Sequence, residues 1–168
     1  MKTFIQILIV IAMSGLSTLA NAGILEEIKP IQERWAEVNY HQSGDAQLEN
    51  FIELEDEIST LIEQYPEMAE GYIWQGIIFS THAGAKGGLG ALALAKQAKK
   101  SLEKALELNP SALQGSAYAS LGTLYYKVPG WPLGFGNKRK AEEYLQTALE
   151  LEPESIDNNY FYAGFLFH

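Results

Sequence analysis

Cysteine is absent from all 168 residues of this sequence. Its absence excludes disulfides, thiolate nucleophiles and thiolate metal sites. Histidine is nearly as scarce, since His41, His82 and His168 lie far apart along the chain, without the close spacing of a metal-binding set. The chain must therefore hold together by its core alone. This is feasible because roughly two-thirds of the surface of an unfolded chain of this size is buried on folding.

Basic side chains are scarce in residues 23–70. Residues 23–70 hold 13 acids and only two bases, Lys29 and Arg34, whereas residues 71–168 hold 8 acids and 9 bases. Nucleic-acid binding needs a basic footprint, so we expect no nucleic-acid partner. The acidity is typical of a solvated helix face, and the alternative is a docking surface for a basic partner.

Patterns that would indicate catalysis or cofactor binding are also missing. Ser116 and Ser120 have no base near them in the sequence. No strand precedes the glycine-rich segment 84–90, so a dinucleotide-binding loop is not expected there. We therefore predict that the protein is not an enzyme and uses no cofactor and no metal.

The first 22 residues have the layout of a secretory signal. Lys2 gives a positive start, Phe4 to Met13 is an almost unbroken apolar run, and Ala20-Asn21-Ala22 fits a cleavage site. The apolar run is too short for a comfortable membrane span, and no cysteine follows it to carry a lipid. We expect a cleaved signal peptide over 1–22 and a mature, non-lipidated periplasmic chain over 23–168 with no membrane span.

The remaining chain is predicted to be a helical repeat. Apolar residues recur at steps of three and four, which predicts an all-α fold of about seven helices. The segment Ala105–Pro110 returns as Ala148–Pro153, and the prolines at 66, 110 and 153 are 44 and 43 residues apart. Two helices per unit predict a helical-hairpin solenoid. Its parts are an acidic hairpin (23–66), two repeats (67–110 and 111–153) and an unpaired helix (154–168).

Glycines mark the first helix of each unit, at Gly76, Gly122 and Gly164. A glycine inside a helix costs about 1 kcal/mol relative to alanine, and it is usually kept where another backbone comes close. Two special segments, a flexible loop at 84–90 and a proline-stiffened one at 128–136, join the helices of the two repeats. We expect these segments to be neighbours on one edge of the stack.

The repeat resembles the tetratricopeptide repeat, which has a large residue, Leu-Gly and Tyr on its first helix and small residues and a final Pro on its second. The better-matching unit carries Tyr118, Leu121, Gly122, Tyr125, Ala141, Leu145, Ala148 and Pro153. The other unit carries Tyr72, Gln75, Gly76, Phe79, Ala98, Leu102, Ala105 and Pro110, where Gln75 departs from the pattern. The period of about 44 residues exceeds the usual 34.

Three segments narrow the resemblance. Gly115–Gly122, Val128–Gly136 and Ile156–Tyr162 resemble the T component associated with TRAP transporters. The resemblance implies a periplasmic scaffold that docks on the solute-binding protein of an organic-acid uptake system. Two alternatives stay open: a carrier with an apolar or organic-acid ligand in its helical cavity, and a module that self-associates through Ile156–His168.

Eight residues are candidates for contact with a partner or ligand. Aromatic residues of the first helices are expected on the concave side, and two bulky ones lie in segment 128–136, although Trp131 is expected to fold back over the helix ends. Lys138 and Arg139 oppose the dipole at the start of the sixth helix, and pairing with Glu142 and Glu143 is expected to relieve this. The candidate residues are Trp74, Lys86, Tyr118, Tyr125, Trp131, Phe135, Lys138 and Arg139.

Overall fold

The computed structural model describes residues 23–167 and shows seven α-helices and no strand in that range. The helices are α1 (23–41), α2 (Gly44–Gln64), α3 (Ala69–Lys86), α4 (Gly88–Leu108), α5 (Ser116–Lys127), α6 (Lys138–Leu151) and α7 (Ile156–Leu166). The predicted all-α fold of helical hairpins is confirmed. Among the described helices, none is long and apolar enough to cross a membrane. The predicted signal peptide, 1–22, lies outside the described residues.

Consecutive helices pack antiparallel. Between α2 and α3, Glu55 contacts His82 and Ser59 contacts Gln75, so ascending numbers on one helix meet descending numbers on the next. α3 packs mainly on α4 and α5 mainly on α6, while α3, α5 and α7 also touch one another in turn. The ends of the odd-numbered helices and the starts of α2, α4 and α6 therefore share one edge. We call it the loop edge, and the opposite side the far edge.

Two apolar clusters form the core. One joins α1, α2 and α3 through residues such as Phe51, Ile58 and Ile78. The other runs from α3 to α7 and includes Ile73 and Phe165. Because α3 contributes to both clusters, the acidic hairpin is packed onto the rest of the chain.

Two of the three helix glycines mark close helix crossings, as predicted. A Cβ at Gly76 would lie 2.5 Å from Leu102 Cγ, and one at Gly122 would lie 2.5 Å from Leu145 Cγ. Gly164 differs, because a Cβ there would meet only the side-chain oxygen of Tyr126, at 3.4 Å. The prediction that a glycine marks a close helix crossing therefore holds for the two units whose helices are paired.

The predicted flexible loop at 84–90 is wrong. α3 continues to Lys86 and α4 starts at Gly88, so only Gly87 separates the two helices. Gly87 and Gly88 have φ values of 63° and 59°, which glycine adopts because it has no Cβ to clash. The extra residues of this unit lengthen its helices instead of forming a loop.

The fifth helix also begins later than predicted, at Ser116 instead of Ser111. Leu113 and Gln114, in a short 3-10 helix before it, have φ values of 46° and 59°. The buried side chain of Asn158 donates a hydrogen bond to the Gln114 carbonyl at 3.2 Å. This tertiary contact holds a left-handed turn that the local sequence does not signal.

Candidate functional site: an apolar groove

A groove of about 1120 Å³ runs along one face of the helix stack. Its walls come from the four odd-numbered helices, which are the first helices of the successive units. The first two turns of α4, the 3-10 helix and part of segment 128–136 complete the lining. The remaining turns of α4 and all of α2 and α6 lie behind this wall.

Aromatic rings form the end of the groove at α1. Trp35 meets Trp74 edge-on at a centroid distance of 5.6 Å and Tyr40 at 5.7 Å. The Trp35 indole donates to the Thr81 hydroxyl at 3.0 Å. The Trp74 indole nitrogen is buried and has no acceptor among the described residues. This end therefore presents mainly ring surface to a ligand.

Hydroxyl side chains also line the groove, and the protons of three of them are already engaged. Ser80, Thr81 and Thr123 each donate to the carbonyl four residues earlier on their own helix, at 2.7, 3.0 and 2.9 Å. Such back-bonding satisfies the hydroxyl locally. These side chains keep lone pairs to accept hydrogen bonds, but they offer no free donor to an anion.

Among the described residues, Lys127 and Asp157 are the only basic and acidic side chains in the lining. They lie at opposite ends, because Lys127 is in the last turn of α5 and Asp157 is in the first turn of α7. Lys127 Nζ lies 5.0 Å from the ring centroid of Tyr126. Within residues 23–167, no carboxylate is within salt-bridge distance of Lys127. The groove thus has apolar walls, a basic end and an acidic end.

Tyr118 and Tyr125, expected on the inner face, do not line the groove. Tyr125 stacks on Tyr144 at 5.5 Å and meets Phe135 edge-on at 5.5 Å, while Tyr118 lies 6.0 Å from Tyr144. Both tyrosines lie within one turn of Gly122 on α5 and share the face by which that glycine crosses α6. They join a separate aromatic cluster between the two helices.

Cations cover this aromatic cluster. Lys99 Nζ lies 6.0 Å from the Phe135 ring and Lys140 Nζ lies 5.3 Å from the Tyr125 ring. Burial raises the pKa of the Tyr144 phenol above its usual value. Burial acts to lower the pKa of Lys99, but the hydrogen bond and charge of Glu103 raise it above its usual value overall. The cluster packs segment 128–136 onto the helices and is not an open site.

Trp131 does not fold back over the helix ends, because it is 89% exposed. Leu89 and Leu133 are 96% and 73% exposed, and both lie in the groove lining. Segment 128–136 touches α4, since a Cβ at Gly134 would lie 3.3 Å from Leu92 Cδ1. Segment 128–136 thus lies next to the start of α4, and both special segments contribute residues to the groove lining, although the first of them is mostly helical.

The three predicted basic residues all lie at the loop edge. Lys86 occupies the last turn of α3, where the helix dipole stabilises a cation. Arg139 pairs with Glu143 at 2.6 Å, as predicted. Lys138 instead lies over the Phe165 ring, with Nζ 5.7 Å from its centroid. None of the three lines the groove.

Of the eight predicted residues, only Trp74 is in the groove lining. Sequence reasoning missed Lys127, which directly precedes the special segment it did single out. It also missed the contribution of α1. Gln32, Trp35 and Asn39 follow one another at steps of three and four, next to the buried isoleucines, and line the groove together. These residues form a second stripe on α1 beside the buried stripe, and that spacing was the sequence signal for the contribution of α1 to the groove.

Comparison of the chain with models of known protein families gives no match, and comparison with curated proteins gives none. Function is therefore inferred from the groove and from the resemblance carried by residues 115–122, 128–136 and 156–162.

Proposed function

We propose that this chain is a non-enzymatic periplasmic carrier for an amphipathic organic acid. Its groove of about 1120 Å³ is large enough for such a ligand, since small-molecule pockets usually measure roughly 300–1,000 Å³. The apolar walls suit a hydrocarbon body. The observation that carries the proposal is the Lys127 ammonium, which lies at one end of this wall without a carboxylate partner among the described residues.

The charges of the lining give the ligand an orientation. Its carboxylate pairs with Lys127 at the loop edge, because Lys127 is the one basic side chain that the described residues contribute to the lining. Asp157 at the other end repels an anion and leaves that end to the apolar body. An ammonium ligand would take the reverse orientation, so charge selectivity is the first property to measure.

The test compares dodecanoate with dodecanol, which share a chain and differ in headgroup charge. Wild-type protein is expected to bind dodecanoate more tightly in calorimetric titration. Lys127→Gln should weaken dodecanoate binding by roughly 10- to 100-fold, the value of a hydrogen bond to a charged group. It should leave dodecanol binding unchanged.

Lys104→Gln is the matched control. Lys104 lies outside the groove and pairs with Glu107 at 3.6 Å, so its replacement should change neither titration. If wild-type protein binds neither ligand, or if Lys127→Gln weakens both equally, the carrier proposal is wrong.

A second candidate is docking on the solute-binding protein of a TRAP-type uptake system. The resemblance suggests it, and two exposed apolar side chains of the resembling segment 156–162 favour it. Ile156 is 83% exposed, and Tyr160 is exposed where it borders the groove. A ligand held in the groove would then lie next to the docked partner.

Native mass spectrometry tests the second candidate. The chain mixed with a TRAP-type solute-binding protein should form a one-to-one complex, and Ile156→Arg should abolish that complex while dodecanoate binding persists. An oligomer of the chain alone that dissociates on the same substitution would favour self-association through α7 instead.

A further inference from the structure

Exposed apolar side chains gather at the loop edge. They come from the ends of α1 and α7, the start of α4 and segment 128–136. They are Tyr40, Leu89, Trp131, Leu133, Leu166 and Phe167. Phe167 is 93% exposed. Large exposed apolar patches on a folded chain mark interaction sites. We therefore expect this edge to bind a partner.

Basic side chains surround these apolar ones. Segments 84–102 and 127–141 contain no acid at all. Five of their bases lie at the loop edge: Lys86, Lys127, Lys138, Arg139 and Lys140. Among the described residues, the one acid in the terminal helix turns of that edge is Asp45, in the first turn of α2. Glu37, Glu49, Glu142 and Glu143 lie one turn further in, and Glu143 pairs with Arg139. The edge is therefore net positive although the whole chain carries a net charge of −9.

The far edge has the opposite character. Acids predominate where α2, α4 and α6 end, and the bases there are Lys29 and Lys104. The acids are Glu63, Glu67, Glu107, Glu150, Glu152 and Glu154. The charge of the molecule is thus polarised along its helices, with a basic edge and an acidic one.

We propose that the loop edge docks on a bilayer surface that carries anionic headgroups. Tryptophan and tyrosine favour the headgroup level of a bilayer. Each base near an anionic leaflet adds roughly 1 kcal/mol of attraction. Apolar tips that project from separate helix ends suit shallow insertion, whereas a folded partner would need a continuous contact surface. The acidic far edge then faces away from the anionic surface.

Docking at this edge places the groove mouth at the bilayer. Leu89 and Leu133 belong both to the exposed apolar set and to the groove lining, and Lys127 lines the same groove at the loop edge. An amphipathic acid dissolved in the bilayer would enter with its carboxylate at the headgroup level. This delivery route rests on the proposed carrier function, whereas the docking itself does not.

Trp131 is the reporter for the experiment. It is far more exposed than Trp35 and Trp74, so it is the tryptophan that a bilayer can reach. Its own fluorescence is obtained by subtracting the spectrum of a Trp131→Phe variant. The full chain is mixed with vesicles of phosphatidylethanolamine and phosphatidylglycerol whose acyl chains are brominated. Trp131 emission should shift to shorter wavelength and be quenched. Pure phosphatidylcholine vesicles should give neither effect.

Matched substitutions at the two edges identify the surface. Replacing Lys138 and Arg139 with glutamine should lower the vesicle partition coefficient by roughly thirtyfold, whereas replacing Lys104 at the far edge should not. Phe167→Ser should weaken vesicle binding. Ile156→Ser should not, because Ile156 is an exposed apolar side chain of the far edge. Because none of these side chains lines the groove, dodecanoate binding should persist in all of them.

Three results would overturn docking on a bilayer. One is Trp131 emission that anionic vesicles leave unchanged. Another is equal loss of binding in the variants of both edges. The third is shielding of Trp131 by a second copy or by a soluble protein in the absence of lipid, which would make the edge a protein interface. Wild-type protein that docks on vesicles but does not bind dodecanoate would instead count against the carrier function alone.

Discussion

Gly122 sets the distance between α5 and α6. A Cβ at this position would lie 2.5 Å from Leu145 Cγ and 3.1 Å from the Ala141 carbonyl oxygen. The helices therefore approach more closely than any other residue allows at this point. Gly84 is also inside a helix, but a Cβ there would meet nothing within 4 Å, so it provides a comparison.

Gly122→Ala is expected to lower the free energy of unfolding by about 1–3 kcal/mol, because overpacking forces neighbouring groups to move. Gly84→Ala should raise it by about 0.5–1 kcal/mol, because alanine loses less backbone freedom in a helix. Urea unfolding measures both changes. A Gly122→Ala variant as stable as the wild type would contradict the close crossing.

At this scale the sequence predicts contacts made inside the repeat better than contacts made by its special segments. Gly76 and Gly122 are predictable because the spacing between paired helices is a property of the unit. Trp131 is not, because the sequence of a segment with two prolines does not tell whether a ring packs on the helix ends or points to solvent. Lys127 is missed because a basic residue at a helix end has an ordinary structural role.

The joint between α3 and α4 is a single glycine. Gly87 has a φ of 63° and is the only residue between the two helices. Any other residue would place a Cβ against the backbone in this conformation. Sequence reasoning interpreted the glycines of 84–90 as a loop, but alanine, lysine and leucine between them are strong helix formers. Within that segment, only the two glycines at 87 and 88 have positive φ values.

Gly87→Ala is expected to lower the free energy of unfolding by about 1–3 kcal/mol, because its φ of 63° and ψ of −176° lie in a region that is essentially restricted to glycine. This effect is opposite in sign to that of Gly84→Ala, only three residues earlier. Thermal or urea unfolding of the two variants measures the difference. Equal effects from both substitutions would show that the joint tolerates a side chain.

Asn158 connects three elements. Its buried amide donates to the carbonyls of Gln114 and Ala148, at 3.2 and 2.9 Å, and so ties α7 to the 3-10 helix and to the end of α6. The neighbouring Asn159 also makes two backbone hydrogen bonds, but they are exposed. Comparison of Asn158 with Asn159 therefore separates the contribution of buried hydrogen bonds to stability from that of exposed ones on the same helix.

Asn158→Ala is expected to cost roughly 1–3 kcal/mol of unfolding free energy, because it removes two hydrogen bonds worth about 0.5–1.5 kcal/mol each. Asn159→Ala should cost less, since water replaces its exposed bonds. Hydrogen exchange should also show faster opening of α7 in the Asn158 variant alone. If both variants lose the same stability, Asn158 does not hold the three elements together.

At the scale of the whole molecule, the groove and the charge polarity arise from the arrangement of the hairpins. Each hairpin contributes its first helix to the groove wall and its helix ends to the loop edge. The fold class follows from the repeat period, but the groove does not, because its walls join residues as distant as Trp35 and Phe161. The charge polarity is encoded in the sequence but becomes visible only when helix direction is known.

Ser120 offers the most direct test of the central claim that the groove holds an amphipathic acid. Its half-buried side chain lies on the α5 wall of the groove. Titration of dodecanoate into Ser120→Trp and Ser120→Ala, both checked for wild-type melting, measures whether binding needs the open groove. We expect Ser120→Trp to abolish binding and Ser120→Ala to retain it. Equal binding by both variants would contradict the claim.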